Sequence, residues 1–495
     1  MGVIKRQGFK QSAVAYTGVL IGAISTIWIY PLDKEIVGFA QFLKGAAELI
    51  GFLMLLGSTS VSIRFFPEFK DKKSGHHGFW LFLHLFLAAG ILLVLLLLFA
   101  FQGQMESYWA DKSVLFQDYI VYIIPMAILM ATLQLNTSYS ANFKRIAIPA
   151  IFDLFIKITL PILVLLFYYE YIGLSTFVLG LVLNYVLAVA AILAYVWWLG
   201  QLHFKVDFSF LKKERLTTIG KYAAYGMLSG IGSKMALKID TIMVPTIIDF
   251  HQNGVYFIAV FIGNAIAIPS VALLAIAAPL ISEALKEKDF SSIKNIYQRS
   301  STSLLWVGML LFCLVILSIE DLFLIMPNSE EMEGGFWVVL FIGLAKIIDM
   351  ATSTNHHIIG YSEYYRYNLY MILVLALMNI VFNWWLIHAY GIAGAAVATM
   401  LSISFYNIIK VGLVYWKFKM QPFSKNTIYI LLLGMFCIGT VYVLFQNLEL
   451  HPIVAIVTKS IIVFLIYLPI AFGFKLSPDI NEVAVNFIAK IRGRR

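Results

Sequence analysis

The 495-residue chain is 61% apolar and only 13% charged, against roughly 25% charge in a soluble domain, which excludes a water-soluble globular protein. A formal charge of +9 would suggest nucleic acid in a soluble chain; here it asks on which side of a bilayer the Lys and Arg gather. Cys313 and Cys437 lie in separate apolar runs, which leaves neither a disulfide framework nor metal-ligand spacing.

The basic start, Lys5, Arg6 and Lys10, precedes an uncharged run over 11–30 that is too long for a signal-peptide core and reads as an uncleaved first helix. A helix needs about 20 apolar residues to cross a ~30 Å hydrocarbon core. Such runs recur over 43–66, 78–101, 119–140, 148–170, 173–198, 220–247, 254–285, 301–326, 335–357, 367–388, 390–416, 426–446 and 453–474. The pattern predicts an all-α polytopic membrane protein with 14 transmembrane helices.

With the N-terminus inside, the loops assign 27 Lys and Arg to the inner face and 2, Lys34 and Lys112, to the outer face. Cytoplasmic loops hold the basic residues, so both termini are expected in the cytoplasm and the protein in the inner (cytoplasmic) membrane. The ten tryptophans fall near span ends, among them Trp28, Trp80, Trp109, Trp198, Trp337 and Trp416, as an interfacial aromatic belt would.

Laying the seventh span on the first exposes a weak repeat. Ala15-Tyr16 and Ala224-Tyr225 each follow a basic segment, and Gly38 and Gly254 each start the next helix. An offset of about 210 to 216 residues covers six helices, an even number, so the halves keep one orientation in the membrane. The expected organisation is an N-lobe over 1–204, a cytoplasmic linker over 205–219, a C-lobe over 220–420, and two further helices with a basic tail over 421–495.

Ionisable groups inside a membrane are costly, roughly 2.5–3.5 kcal/mol on insertion scales, and mark wet cavities or bundle interiors. The spans carry Lys44, Lys157, Lys234, Lys238, Lys346, Lys410 and Lys459 against Glu48, Asp153, Asp240 and Asp349. This excess of cations favours an anionic ligand. Lys44 with Glu48, Asp153 with Lys157 and Lys346 with Asp349 have i,i+4 or i,i+3 spacing and can pair on one helix face. Lys410 and Lys459 lie near span ends, within reach of the interface.

Lys234 and Lys238 share a stripe of span seven, while Asp240 points about 200° away from Lys238. Two ammonium groups at that spacing require an anion, from Glu48 or Asp349 on another helix or from a ligand, and a diphosphate would serve. Lys346 and Lys157 are further substrate-binding candidates; Asp240, Asp153, Asp349, Glu48, Lys44 and Pro161 are candidates for coupling or gating. Pro161 withholds a donor from Lys157 and so predicts a kink beside the charged pair. Amides such as Gln134, Asn136, Asn379 and Asn383 suit either a sugar path or interhelical bonding, and His356 with His357 suits either an interfacial pair or proton coupling.

The segment RFFPEF closing span two, DTIMVPTIIDFHQNGVYFIA joining spans seven and eight, and YGIAGAAVATMLSISFYNIIK in span twelve resemble the oligosaccharide flippases of the multidrug/oligosaccharidyl-lipid/polysaccharide exporter superfamily. The resemblance runs along almost the whole chain. It implies a V-shaped pair of six-helix lobes that open alternately to either side. It also implies, as the cargo, an undecaprenyl-diphosphate-linked oligosaccharide moved outward, and the excess of cations in the spans makes a cationic central cavity the expected path.

The expected activity is therefore transport without an enzymatic step. Partners would be the lipid-linked oligosaccharide, membrane lipids and other glycan-assembly proteins, with no nucleic acid and no cofactor. Proton and sodium both stay open as coupling ions. A cation-coupled multidrug exporter of the same superfamily and a membrane polymerase or ligase of lipid-linked glycans are the alternatives. The first span lacks the acid expected of the former, and the longest outer loop, Gln102 to Asp118, is short for the latter. No G-x-x-x-x-G-K-[ST] phosphate loop occurs, so the chain has no such motif for ATP hydrolysis.

Overall fold

The computed structural model describes residues 14–492 apart from 15, 72, 105–113, 144, 146, 208–209 and 333. Lys5, Arg6, Lys10, Trp109 and Lys112, used in the topology argument, lie outside the described residues. Helices make up the described chain, and no strand occurs among the described residues. Among the described residues, eleven helices are long and apolar enough to cross a membrane, which makes this a multi-pass membrane protein. The helices divide into two compact units, residues 1–254 and 255–495.

The first unit contains α1 (Tyr16–Leu32), α2 (Lys34–Met54), α3 (Ser58–Phe69), α4 (Phe79–Ala100), α5 (Ile123–Ala141), α6 (Ala147–Tyr168), α7 (Leu174–Trp198) and α8 (Lys213–Ile247). Asp33 starts α2 by accepting the Ile36 amide at 2.9 Å, which satisfies one of the orphan donors of a helix N-terminus. The predicted second span breaks at Gly57, whose φ of +77° admits the turn between α2 and α3. A Cβ there would also lie 2.1 Å from the Ala223 carbonyl oxygen of α8.

Packed against α4, α5 and α8, α2 is the most enclosed candidate span among the described residues. Small residues let α8 approach closely. Gly45 meets Thr241, and a Cβ on Gly230 would sit 2.1 Å from the Phe52 ring. The seventh predicted span therefore packs in the first unit, one helix beyond the linker that the sequence repeat defines.

The second unit contains α9 (Phe250–Ala265, which straddles the boundary), α10 (Ile268–Glu287), α11 (Phe290–Ile325), α12 (Gly335–Thr352), α13 (Asn355–Tyr361), α14 (Arg366–Phe418), α15 (Lys425–Phe445), α16 (Pro452–Gly473) and α17 (Pro478–Arg492). Its core gathers around α11, where Trp306, Met309 and Cys313 pack with Cys437 and Tyr467. The Tyr467 hydroxyl donates to the Trp306 carbonyl at 2.9 Å. Both cysteines are buried free thiols.

The predicted spans eleven and twelve are continuous in α14 but reverse at Gly391, whose φ of +58° and ψ of −139° leave the helical region. Past that turn the Gly394 Cα lies against the Leu386 carbonyl, an approach that a side chain would block. Counting this reversal, α1 and the charge-bearing α8 alongside the eleven apolar helices provides a helix for each predicted span. The sequence reading did not anticipate α17, which is tied to α11 by the Arg299–Asp479 ion pair.

The aromatic belt needs correction in two places. Trp28, Trp198, Trp337, Trp384 and Trp416 are exposed on the helix surface, as a belt requires. Trp80 and Trp306 are buried instead. The Trp80 indole donates to Asn136 Oδ1 at 3.0 Å, and the Asn136 amide donates in turn to His84 Nε2 at 3.1 Å. His84 donates from Nδ1 to the Trp80 carbonyl at 2.8 Å, so the polar rim of the indole is satisfied inside the bundle.

Candidate functional site

Five helices of the first unit enclose a cavity of about 520 Å³. From α2 come Lys44, Glu48 and Gly51, at i, i+4 and i+7, one face of the helix. The wall of α5 contributes Gln134 and Thr137, α6 contributes Asp153, α7 contributes Tyr185 and α8 contributes Lys238. Charged side chains on three helices, α2, α6 and α8, thus converge on one space. Tertiary packing makes this affordable, because each charge meets an opposite charge or a wet cavity instead of lipid.

The Lys234 ammonium pairs with Glu48 Oε1, and Lys238 lies 3.9 Å from Glu48 Oε2. One carboxylate of α2 therefore supplies the anion that the lysine stripe of α8 demands. On α6, Lys157 pairs with Asp153 at 2.7 Å, as the i,i+4 spacing predicts. The cavity lining carries Lys44 and Lys238 against Glu48 and Asp153, and each of the two acids also pairs with a lysine outside the lining, Lys234 for Glu48 and Lys157 for Asp153. Inside a membrane protein, where the effective dielectric is low, a cavity-facing ammonium such as that of Lys44 draws an anion far more strongly than it would in water.

Two of the intrahelical pairs expected from spacing do not form. Glu48 gives its carboxylate to α8, leaving Lys44 in the cavity wall without an ion pair among the described residues. Likewise Asp349 accepts the Asn407 amide of α14 at 3.2 Å and makes no ion pair with Lys346 among the described residues. Both residues of that pair belong to α12 of the second unit and so are not part of this cavity.

Nor do Lys410 and Lys459 snorkel to an interface. Lys410 is 4% exposed, with its ammonium 4.3 Å from the centre of the Tyr406 ring. Lys459 binds Asp321 of α11 at 2.5 Å. In each case a partner inside the bundle replaces the water that an interfacial position would have offered.

Asp240 is buried and partnered on α8, two residues beyond Lys238. Through Pro161, one turn past Lys157, α6 continues as helix. Among the amides, Gln134 faces the cavity, whereas Asn136 and the Asn379–Asn383 pair are held in hydrogen bonds within the bundle. His356 and His357 lie on the short α13 with ring centres 5.8 Å apart. Sequence reasoning missed Thr137 and Tyr185, since a hydroxyl in an apolar run carries no signal until packing turns it inward.

No family model and no curated protein matches the chain. Solved structures do match. One described as the lipid II flippase MurJ in an inward closed conformation superposes with a TM-score of 0.70 at 15% identity, over 94% of this chain and 98% of that one. An inward-facing multidrug resistance MATE family transporter of the MOP superfamily reaches 0.63 at 13% identity, over 81% and 94%. A MOP superfamily transporter from Pyrococcus furiosus, described as having a binding pocket of reverse polarity, reaches 0.53 at 12% identity, over 84% and 95%.

The chain thus has the all-helical fold of the membrane transporters of the MOP superfamily. That is the superfamily its own residues resemble, the multidrug/oligosaccharidyl-lipid/polysaccharide exporters.

Proposed function

We propose that the protein is a flippase that moves an undecaprenyl-diphosphate-linked oligosaccharide from the inner to the outer leaflet by alternating access. The observation carrying this reading is the cavity that Lys44 and Lys238 line inside the membrane-spanning part of the first unit. Both acids of its lining are engaged by lysines while Lys44 has no ion pair among the described residues, and Lys is a competent phosphate binder. The fold shared with a structure described as a lipid II flippase supports the same reading.

In this scheme Glu48 is the resident anion. It neutralises Lys234 and Lys238 while no cargo is bound, which keeps two like charges tolerable on one helix face. An arriving diphosphate competes for the same ammonium groups and frees the carboxylate. Release of the cargo on the far side restores the pair. Such an exchange gives each state a distinct set of contacts, as alternating access requires. The protein acts in the inner membrane with both termini in the cytoplasm, alongside glycan-assembly proteins, and itself breaks no bond.

A second reading, a cation-coupled exporter of organic cations, is favoured by Glu48 and Asp153 in the same wall and by the shared fold of a multidrug transporter. Reconstitution separates the two. Proteoliposomes holding the wild-type protein should translocate a fluorescent oligosaccharide linked to undecaprenyl diphosphate, and Lys234→Gln and Lys238→Gln should each slow this roughly tenfold at equal protein content. Uptake of an organic cation with no movement of the lipid would overturn the reading, as would normal flipping by the double variant.

A further inference from the structure

The turn before α4 runs Gly75, His76, His77, Gly78, with φ of +61°, +57°, +53° and +69°. Two histidines thus hold a left-handed conformation that crowds their Cβ atoms, and such a turn persists only where its surroundings over-determine it. We propose that His76 is the pin of a proton-sensitive strap: its neutral ring clamps the linker between α7 and α8 onto this turn, and protonation releases it. The strap belongs to the fold of the first unit and acts whatever the cargo.

Backbone groups at either end fix the state of the ring. The Asp71 amide donates to His76 Nδ1 at 3.1 Å. His76 Nε2 lies 2.9 Å from Gln201 Oε1, and the Gln201 side-chain amide donates to the Leu199 carbonyl at 3.0 Å, which turns its oxygen toward the imidazole. A backbone N–H only donates and a carbonyl only accepts, so the chain of bonds from Asp71 to Leu199 runs one way. It requires a ring that is bare at Nδ1 and protonated at Nε2. A second proton would set two donors face to face at Nδ1, and with His76 only 2% exposed the new charge would have little water to solvate it.

The surroundings add no counter-charge for that proton. Within electrostatic reach of the ring stand His203 of the linker, its ring centre 5.8 Å away, and Lys70 and Asp71 of the chain before the turn. Asp71, the carboxylate of this set, already accepts the Lys73 amide at 2.9 Å. From α5, the Tyr139 hydroxyl donates to the Gln201 carbonyl at 3.2 Å. On the remaining sides α3 and the residues after α5 face the ring with Phe66 and Phe143.

Release spreads beyond one side chain. The linker backbone is pressed on the turn, since a Cβ on Gly78 would lie 1.9 Å from the Lys205 carbonyl oxygen, and the Asp207 amide donates to the His77 carbonyl at 3.2 Å. Contacts then continue into α8. His77 stacks on Phe210, while Arg215 in the first turn of α8 donates to the Phe210 carbonyl at 2.9 Å and holds its guanidinium 3.9 Å from the ring centre. A proton on His76 therefore loosens the start of the helix that carries Lys234 and Lys238. His77 answers in the opposite sense, because Nδ1 donates to Asp207 in either state and a charge strengthens that bond. The pair is partly exposed, so this gain is the smaller effect. In the topology read from the basic residues the turn faces the cytoplasm, whose pH the strap would sense.

Amide hydrogen exchange of the full-length protein in nanodiscs, at about pH 7.5 and about pH 5.5 with rates corrected for the intrinsic effect of pH, tests the strap. In the wild type, protection over 71–78 and 199–212 should fall roughly tenfold at the lower pH while the membrane-spanning helices are unchanged. In His76→Gln, whose amide can donate to Gln201 but takes up no proton, protection should be equal at both values. A wild type insensitive to pH would overturn the proposal, as would a His76→Gln variant that responds like the wild type.

Should glutamine itself loosen the turn, wild-type protein with isotope-labelled histidine gives the answer by nuclear magnetic resonance. His76 Nδ1 should be unprotonated at neutral pH, and its protonation should follow the same titration as the loss of protection. A ring already protonated at neutral pH, or one that gains its proton while the linker stays protected, ends the proposal.

Discussion

Gly38 and Gly254 stand at reciprocal positions. A Cβ on Gly38 would lie 1.8 Å from the carbonyl oxygen of Phe250, four residues before Gly254, and one on Gly254 would lie 2.0 Å from that of Lys34, four residues before Gly38. The Asn253 amide donates to the Gly38 carbonyl across the same crossing at 2.7 Å. These two glycines are equivalents in the sequence repeat, so the contact has the symmetry of the repeat itself.

Backbone pressed on backbone leaves no room for relaxation. Gly38→Ala and Gly254→Ala should each destabilise by at least about 1–3 kcal/mol, the usual cost of overpacking. Gly412→Ala, where a Cβ would meet nothing within 4 Å, is the control and should gain up to about 1 kcal/mol of helix propensity. Thermal unfolding of the purified variants checks the difference; equal midpoints for Gly38→Ala and Gly412→Ala would refute the crossing.

The Glu48–Lys234 pair predicts a coupled cycle. Each single change, Glu48→Gln or Lys234→Met, leaves a charge without its partner and should cost about 1–3 kcal/mol, between the values for exposed and buried pairs. The double variant should recover most of that loss. Glu48→Gln should also bind inorganic pyrophosphate more tightly than wild type, because the competing anion is gone. Additive stabilities across the cycle would show that the two residues do not interact.

Asp321 and Lys459 join α11 to α16 with both side chains largely enclosed, so removing either alone should be severe. Asp321→Ala is expected to cost about 3–5 kcal/mol and lower the yield of folded protein. Asp321→Leu with Lys459→Met should restore stability, because an apolar pair needs no desolvation. Fluorescence-detected size exclusion on heated samples gives the readout.

Before α4 in the first unit, His77 Nδ1 meets Asp207 Oδ2 at 2.9 Å while its ring stacks on Phe210 at 3.9 Å. A neighbouring bond joins His76 Nε2 to Gln201 Oε1 at 2.9 Å. Together they hold the turn before α4 against the segment between α7 and α8. His77→Ala should loosen that segment by about 1–2 kcal/mol, seen as faster proteolysis over 201–212 with the helices unaffected.

Composition and hydropathy alone decided that this is an all-helical, multi-pass membrane protein, because a bilayer leaves a chain of such apolar runs no other way to satisfy its backbone. Spacing correctly paired Asp153 with Lys157, since i and i+4 neighbours meet on any helix. The same rule failed for Lys44 with Glu48. Sequence separation says nothing of which helix packs alongside, and α8 offers Glu48 two ammonium groups at once.

For the same reason the reversal at Gly391, the inward turn of Trp80 and the cavity shared by α2, α5, α6, α7 and α8 were decided only by tertiary structure. Local pattern fixes which residues must leave water. Only the packing of neighbouring helices decides which charges meet, and so where an anion can bind.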